Sequence, residues 1–150
     1  MQILVTNQIR VDLVNLLKMK RDEIFSSQFV RFLVVGVINT LSGLLVIFAA
    51  KYFFHAGDVV ANLIGYGVGL CISFNLNSRW TFAYEGQQLT AVVKFILATA
   101  VAYGANLLTV IVAIEHLGLN SYLGQAMGMP AYTVTAYLAS RYIVFRPTPS

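Results

Sequence analysis

The sequence predicts an all-α integral membrane protein: four transmembrane helices forming two duplicated helical hairpins, with both termini cytoplasmic. Three observations carry this prediction. First, 58% of the 150 residues are hydrophobic and only 11% are charged, with a mean hydropathy of +0.73. A soluble domain carries about 25% charged residues, and ten basic plus six acidic side chains cannot cover the exterior of a chain this size. Second, the apolar residues gather into four runs near the length of about 20 residues that a bilayer-crossing helix needs. Third, the basic residues stand at the ends of these runs rather than along a soluble face.

Taken in order, residues 1–28 form a cytoplasmic leader. Leu13, Leu16, Leu17 and Ile24 recur at helical spacing among Arg10, Lys18, Lys20, Arg21 and Asp22. That pattern fits an amphipathic helix lying on the membrane with its cations on anionic lipid, and it also fits a frayed polar leader. A transmembrane domain covers residues 29–145. Its first span is Phe29–Phe54, with Arg31 and Lys51 at its two ends, where long side chains reach an interface. The turn His55–Asp58 leads to the second span, Val59–Trp80. A polar loop over Tyr84–Gln88 precedes the third, Ala91–Ile114, with Lys94 near its entry. The loop Glu115–Ser121 precedes the fourth, Tyr122–Val144, in which Pro130 predicts a kink. Residues 146–150 are a cytoplasmic tail.

Four spans put the leader, the loop around residue 85 and the tail on one side. That side carries Arg10, Lys18, Lys20, Arg21, Arg31, Arg79, Lys94, Arg141 and Arg146, nine basic residues against Lys51 alone on the other. The positive-inside rule then makes it the cytoplasmic side. The chain also echoes itself. Phe29-Val-Arg-Phe32 opens the first pair of spans and Val92-Val-Lys-Phe95 the second. Ser78-Arg-Trp80 and Ser140-Arg-Tyr142 close them at an offset of 62. Each unit holds two spans, so the copies run in the same sense, as a parallel repeat.

Polar and small residues inside the spans narrow the function. Gly65 and Gly69, and Gly124 and Gly128, have the spacing that lets two helix backbones touch, either within one chain or in a homo-oligomer. An amide in hydrocarbon needs a partner, so Asn39, Asn62 and Asn106 should face the bundle interior or an interface. There they either make structural hydrogen bonds between helices or line a polar passage with Tyr66 and Tyr103. Asn75 and Asn77 lie near the cytoplasmic border beside Arg79. Arg31, Arg79, Lys94 and Arg141 place one cation at the cytoplasmic end of each span. A converging rim of this kind suits a phosphate on a long lipid tail; the same residues also serve as ordinary interface anchors.

Several classes of function are excluded. A nucleic-acid reader would carry its basic residues on a soluble face. No carboxylate lies inside a span, where a proton-coupled pump needs one. Nucleophile–base pairs and metal-ligand spacing are absent from the sequence, and the single Cys71 sits in an apolar run. No enzyme, metal or cofactor is expected.

The stretch Phe29–Thr40 with its Asn39-Thr40 pair, followed by Asn62 and by Ser73-Phe-Asn-Leu-Asn-Ser-Arg-Trp-Thr-Phe82, resembles the GtrA-like family of small four-span membrane proteins. Lys94-Phe95, Asn106 and Ser140–Phe145 resemble that family's weaker second copy. The chain departs from the family pattern in placing Ser78 between Asn77 and Arg79. The resemblance implies translocation of a polyprenyl-phosphate-linked sugar to the outer leaflet of the cell membrane, for glycosylation of a cell-surface polysaccharide. It also implies a separate membrane glycosyltransferase as neighbour. Asn39, Asn75, Asn77, Arg79, Asn106 and Arg141 are the positions it singles out. A non-transporting membrane subunit that holds such a glycosyltransferase is the alternative.

Overall fold

The computed structural model describes residues 2–146, without the side chains of residues 2–12 and of Arg21. The expected tail beyond Arg146 and the side chains of Arg10 and Arg21 lie outside the described residues. Four helices follow one another: α1 (Gln2–Phe54), α2 (Asp58–Leu76), α3 (Gln88–Ile111) and α4 (Ser121–Ala139). Three of them, α1 to α3, are long and apolar enough to cross a membrane. The fourth matches α2 in length at 19 residues but carries Gln125, Tyr132, Thr133, Thr135 and Pro130 within it.

The leader is not a separate element. Helix α1 runs unbroken through 53 residues, about 80 Å at 1.5 Å per residue. The charges at Lys18–Glu23 lie inside this helix and do not mark its start. Without a proline or glycine before Gly36, nothing in the local sequence ends a helix there.

Three helices end differently from the expected clean termini. Helices α2, α3 and α4 pass into five-residue π-helical segments at Asn77–Thr81, Val112–His116 and Ser140–Val144. In each, an N–H reaches back five residues. Phe82 donates to the Asn77 carbonyl at 2.9 Å, Leu117 to Val112 at 3.1 Å and Phe145 to Ser140 at 2.8 Å. After two of these segments the chain reverses through left-handed residues, Ala83 (φ 46°) and Gly118 (φ 65°); His55 (φ 48°) does the same after α1. Glycine suits that conformation, whereas the Cβ atoms of Ala83 and His55 crowd the next carbonyl.

Each pair of consecutive helices forms a hairpin, and glycines set the approach. A Cβ on Gly65 would stand 2.9 Å from the Gly43 carbonyl, and one on Gly124 would stand 2.7 Å from Ile114 Cγ1. The Gly-x-x-x-Gly faces of α2 and α4 are therefore filled by α1 and α3 of the same chain. Lys51 Nζ and Asp58 Oδ1, 2.5 Å apart, tie the ends of the first hairpin together.

The two hairpins meet at one end of the molecule, where Arg31, Arg79, Lys94 and Arg141 all lie; it is called the basic end below. A core of Ala91, Phe95, Ala98, Val144 and Phe145 is packed there against Leu70, Phe74, Phe82, Tyr84 and Ala139. Phe82 stacks on Phe145, with centroids 5.1 Å apart and planes at 22°. Tyr137, 1% exposed, meets Phe29, Phe25 and Phe32 of α1 edge-on at 5.0, 5.3 and 5.5 Å.

Replacing Ala83 by glycine removes the crowded Cβ without touching a packed residue. The Ala83→Gly variant is expected to be more stable by about 1 kcal/mol, read as a higher melting temperature in detergent micelles.

Candidate functional site

Because the hairpins join at one end only, a groove of about 800 Å³ lies between them, and all four helices line it. Its apolar wall is built from Phe32, Leu33, Val37, Leu41, Leu70, Phe95, Met129 and Ala136. Its polar wall consists of Asn39 and Thr40 from α1, Tyr66 and Ser73 from α2 with Asn77, Thr99 and Asn106 from α3, and Tyr132 and Thr133 from α4 with Ser140. No charged side chain is among these residues. The groove is a neutral, amide- and hydroxyl-bearing channel in a wall of hydrocarbon.

The threonines are satisfied within their own helices. Thr40, Thr99 and Thr133 donate to the carbonyls of Gly36, Phe95 and Met129 at 3.0, 2.9 and 2.9 Å. This back-bonding leaves each hydroxyl oxygen able to accept one more bond. The asparagines behave differently, because each hairpin seats one of them on a glycine. A Cβ on Gly69 would lie 2.6 Å from Asn39 Oδ1, and one on Gly128 would lie 2.6 Å from Asn106 Nδ2. The two seats stand at different depths. Asn39 is seven residues past Phe32 and Asn106 eleven past Phe95. The four-residue difference is one helical turn, about 6 Å.

Among the described residues, three buried oxygens have no hydrogen-bond partner: Asn39 Oδ1, Asn77 Oδ1 and Thr81 Oγ1. Asn77 and Thr81 are 1% and 2% exposed, and beside them lie the equally buried Ser78 and Ser140. Asn77 donates from Nδ2 to Ser73 Oγ at 3.2 Å, which leaves its carbonyl oxygen idle. An unpaired buried polar atom costs about 1–3 kcal/mol. The base of the groove, where Asn77 and Ser140 line it, is thus polar, buried and incompletely bonded.

Of the residues expected along a sugar path, Asn39, Asn106 and Tyr66 line the groove. Asn62 and Tyr103 do not: Asn62 donates to the Asp58 carbonyl at 2.8 Å near the far end, and Tyr103 is 63% exposed on the outside of α3. Of the residues expected around a phosphate, Asn77 lies at the groove base, while Asn75 donates to its own helix at the Cys71 carbonyl, 2.8 Å away.

The four cations divide into two pairs. Arg31 donates to the Trp80 carbonyl at 3.1 Å and lies 5.8 Å from the Trp80 ring centroid. Arg141 bonds to Gln28 Oε1 and, at 3.2 Å, to the Tyr137 hydroxyl, with the Phe25 ring 4.9 Å away. These two hold the basic end together. Arg79 and Lys94 are exposed, and among the described residues neither bonds to another side chain. Sequence reasoning missed Thr40, Ser73, Thr99, Tyr132, Thr133 and Ser140 in the groove. The position of Tyr132-Thr133 just after Pro130 was the available signal, since a mid-span proline leaves a carbonyl free and favours polar neighbours. Among the described residues, no group of three or more His, Cys, Asp or Glu side chains could hold a metal ion.

A helical bundle with a neutral groove and a basic end defines a class, the small multi-pass membrane proteins. The chain belongs to the family described as "GtrA/DPMS, transmembrane domain", whose profile matches residues 31–145. It is similar to a "Bactoprenol-linked glucose translocase" of Shigella phage SfV, with 28% identity over 120 residues, covering 79% of this chain and 94% of the relative. A "Prophage bactoprenol-linked glucose translocase homolog" of Escherichia coli (strain K12) is 26% identical over 118 residues, covering 79% and 94%. A second "Bactoprenol-linked glucose translocase", from Shigella phage SfII, is 37% identical over 54 residues, covering 36% of this chain and 45% of the relative.

Thr81→Val keeps the shape of the side chain and deletes an unpartnered buried hydroxyl. It is expected to raise stability by about 1–2 kcal/mol, measured as the shift of the unfolding transition in micelles.

Proposed function

We propose that this protein translocates a polyprenyl-phosphate-linked sugar across the cytoplasmic membrane, supplying glycosylation of a cell-surface polysaccharide. The single observation that carries this reading is the neutral groove lined by Asn39, Asn77, Asn106, Tyr66 and Tyr132. Hydroxyls of a sugar need amide and hydroxyl partners in place of water, and hydrocarbon offers none. The groove supplies them in a file between two hairpins whose flanks face lipid. The polyprenyl chain then stays in the bilayer while the sugar follows the groove. The names of the phage relatives agree with this substrate class.

In this reading the basic end is cytoplasmic, as nine basic residues against one require. Helix α4 crosses the membrane beside α3, giving four spans and two hairpins that arose by parallel duplication. The leader lies on the cytoplasmic side, where its lysines meet anionic lipid. Arg79 and Lys94 bind the phosphate, and Asn75 stands near them at the border. Arg31 and Arg141 shape that border through their own bonds. No catalytic step is involved; a membrane glycosyltransferase makes the lipid-linked sugar on the same side. A scaffold for such an enzyme would need a free helix face, and the glycine faces of α2 and α4 are filled within the monomer.

Reconstituted vesicles loaded with polyprenyl-phosphate-sugar test both parts. Asn39→Ala combined with Asn106→Ala should slow sugar movement at least tenfold with the lipid still bound. Arg79→Ala combined with Lys94→Ala should weaken binding of the lipid-linked sugar about tenfold. Movement and binding that survive both changes would overturn the assignment.

A further inference from the structure

The transport reading leaves a question that the geometry of the basic end addresses. The groove is blocked there, between its polar lining and the exposed Arg79 and Lys94. We propose that this block is a gate with Tyr137 as its pin, and that it must part for a lipid-linked sugar to enter the groove. The proposal rests on the transport reading for its ligand and on the packing for its location.

The two hairpins are held to each other at this end by a small set of interactions. The Tyr137 hydroxyl donates to the Phe25 carbonyl at 3.0 Å and accepts from Arg141 at 3.2 Å. Arg141 in turn bonds to Gln28. The Tyr137–Phe25 and Arg141–Gln28 bonds run to α1 from α4 and from the π-helical segment that follows it, so they connect one hairpin to the other. Around them, Phe82 on the first hairpin stacks on Phe145 of the second, and Phe74 meets Phe95 at 5.6 Å. Ring contacts of this kind are either made or broken as a set, because packed side chains have discrete arrangements and do not deform continuously.

The seal also carries a built-in bias toward opening. Asn77 Oδ1 and Thr81 Oγ1 are buried within it and unbonded. Parting the hairpins hands both oxygens to a solvating partner. A ligand that brings hydroxyl groups to the groove base therefore binds the open form better than the closed one, which is what a ligand needs in order to shift such an equilibrium. Ser140, 2% exposed at the same base, reports directly on the event.

The test places a single cysteine at the base, Ser140→Cys with Cys71→Ser, in sealed vesicles of known orientation. A membrane-impermeant thiol reagent is added on the basic-end side. Tyr137→Ala should raise the labelling rate at least tenfold, and the milder Tyr137→Phe and Gln28→Ala about threefold each, with labelling from the far side unchanged. Equal rates in all four proteins would overturn the gate, whatever the transport result. In a second arm, Phe82→Cys and Phe145→Cys are joined by a reducible bifunctional thiol linker. Movement of polyprenyl-phosphate-sugar should fall at least tenfold on linking and return on reduction. Unchanged movement after linking overturns the gate and leaves the transport reading intact. If the unlinked protein moves no sugar, the transport reading falls, and the labelling rates still decide whether the seal opens.

Discussion

One buried tyrosine joins the two halves of this molecule. In lipid the hydrophobic effect does not drive helix against helix, so association rests on close packing and on polar contacts that hydrocarbon cannot replace. Within each hairpin, glycines meet that requirement by letting backbones approach. Between the hairpins it is met by Tyr137, whose ring is boxed by Phe25, Phe29, Phe32 and Phe82 and whose hydroxyl is bonded on both sides. Edge-on aromatic pairs contribute about 0.5–1.5 kcal/mol each beyond the area they bury. With three such pairs, and Phe82 tilted against the same ring at 6.0 Å, the contact is strong enough to hold the two hairpins, and local enough to leave a groove beyond it. The groove exists because the joint is confined to one end.

Much of the architecture was legible in the sequence, because hydropathy, glycine spacing and charge position are one-dimensional signals. The far ends of the spans and the reversals at His55–Asp58 and Glu115–Ser121 fall where composition changes. Asn39 and Asn106 were recoverable because an amide in an apolar run has few tolerable surroundings. The continuity of α1 was harder to read. Charged residues at Lys18–Glu23 look like a boundary, yet Lys18, Lys20, Arg21 and Glu23 favour helix about as much as the leucines beside them do. The π-helical endings left no trace, since they depend on how the last turn packs rather than on which residues compose it.

The candidate site shows a sharper limit. Arg31, Arg79, Lys94 and Arg141 are equivalent in any topology argument, since each is a cation at the same border. The structure separates them by partner: a carbonyl and an indole for Arg31, Gln28 and Tyr137 for Arg141, and none among the described residues for Arg79 and Lys94. The partners lie 49 and 113 residues away along the chain, and no periodicity links positions so distant. Tyr137 was invisible for the same reason. One tyrosine in a helix of mixed polarity resembles any interfacial aromatic until its four neighbours are known.

The seating of each asparagine on a glycine ties two positions into one heritable unit. An alanine at position 69 pushes the Asn39 amide out of its socket, and an alanine at 128 does the same to Asn106. A side chain at 69 or 128 therefore cannot grow while the asparagine facing it keeps its place. Across relatives of this protein, residues 39 and 69 should therefore change in concert, as should 106 and 128. The one-turn stagger between the two pairs would then be preserved through descent even where the surrounding hydrocarbon residues turn over freely.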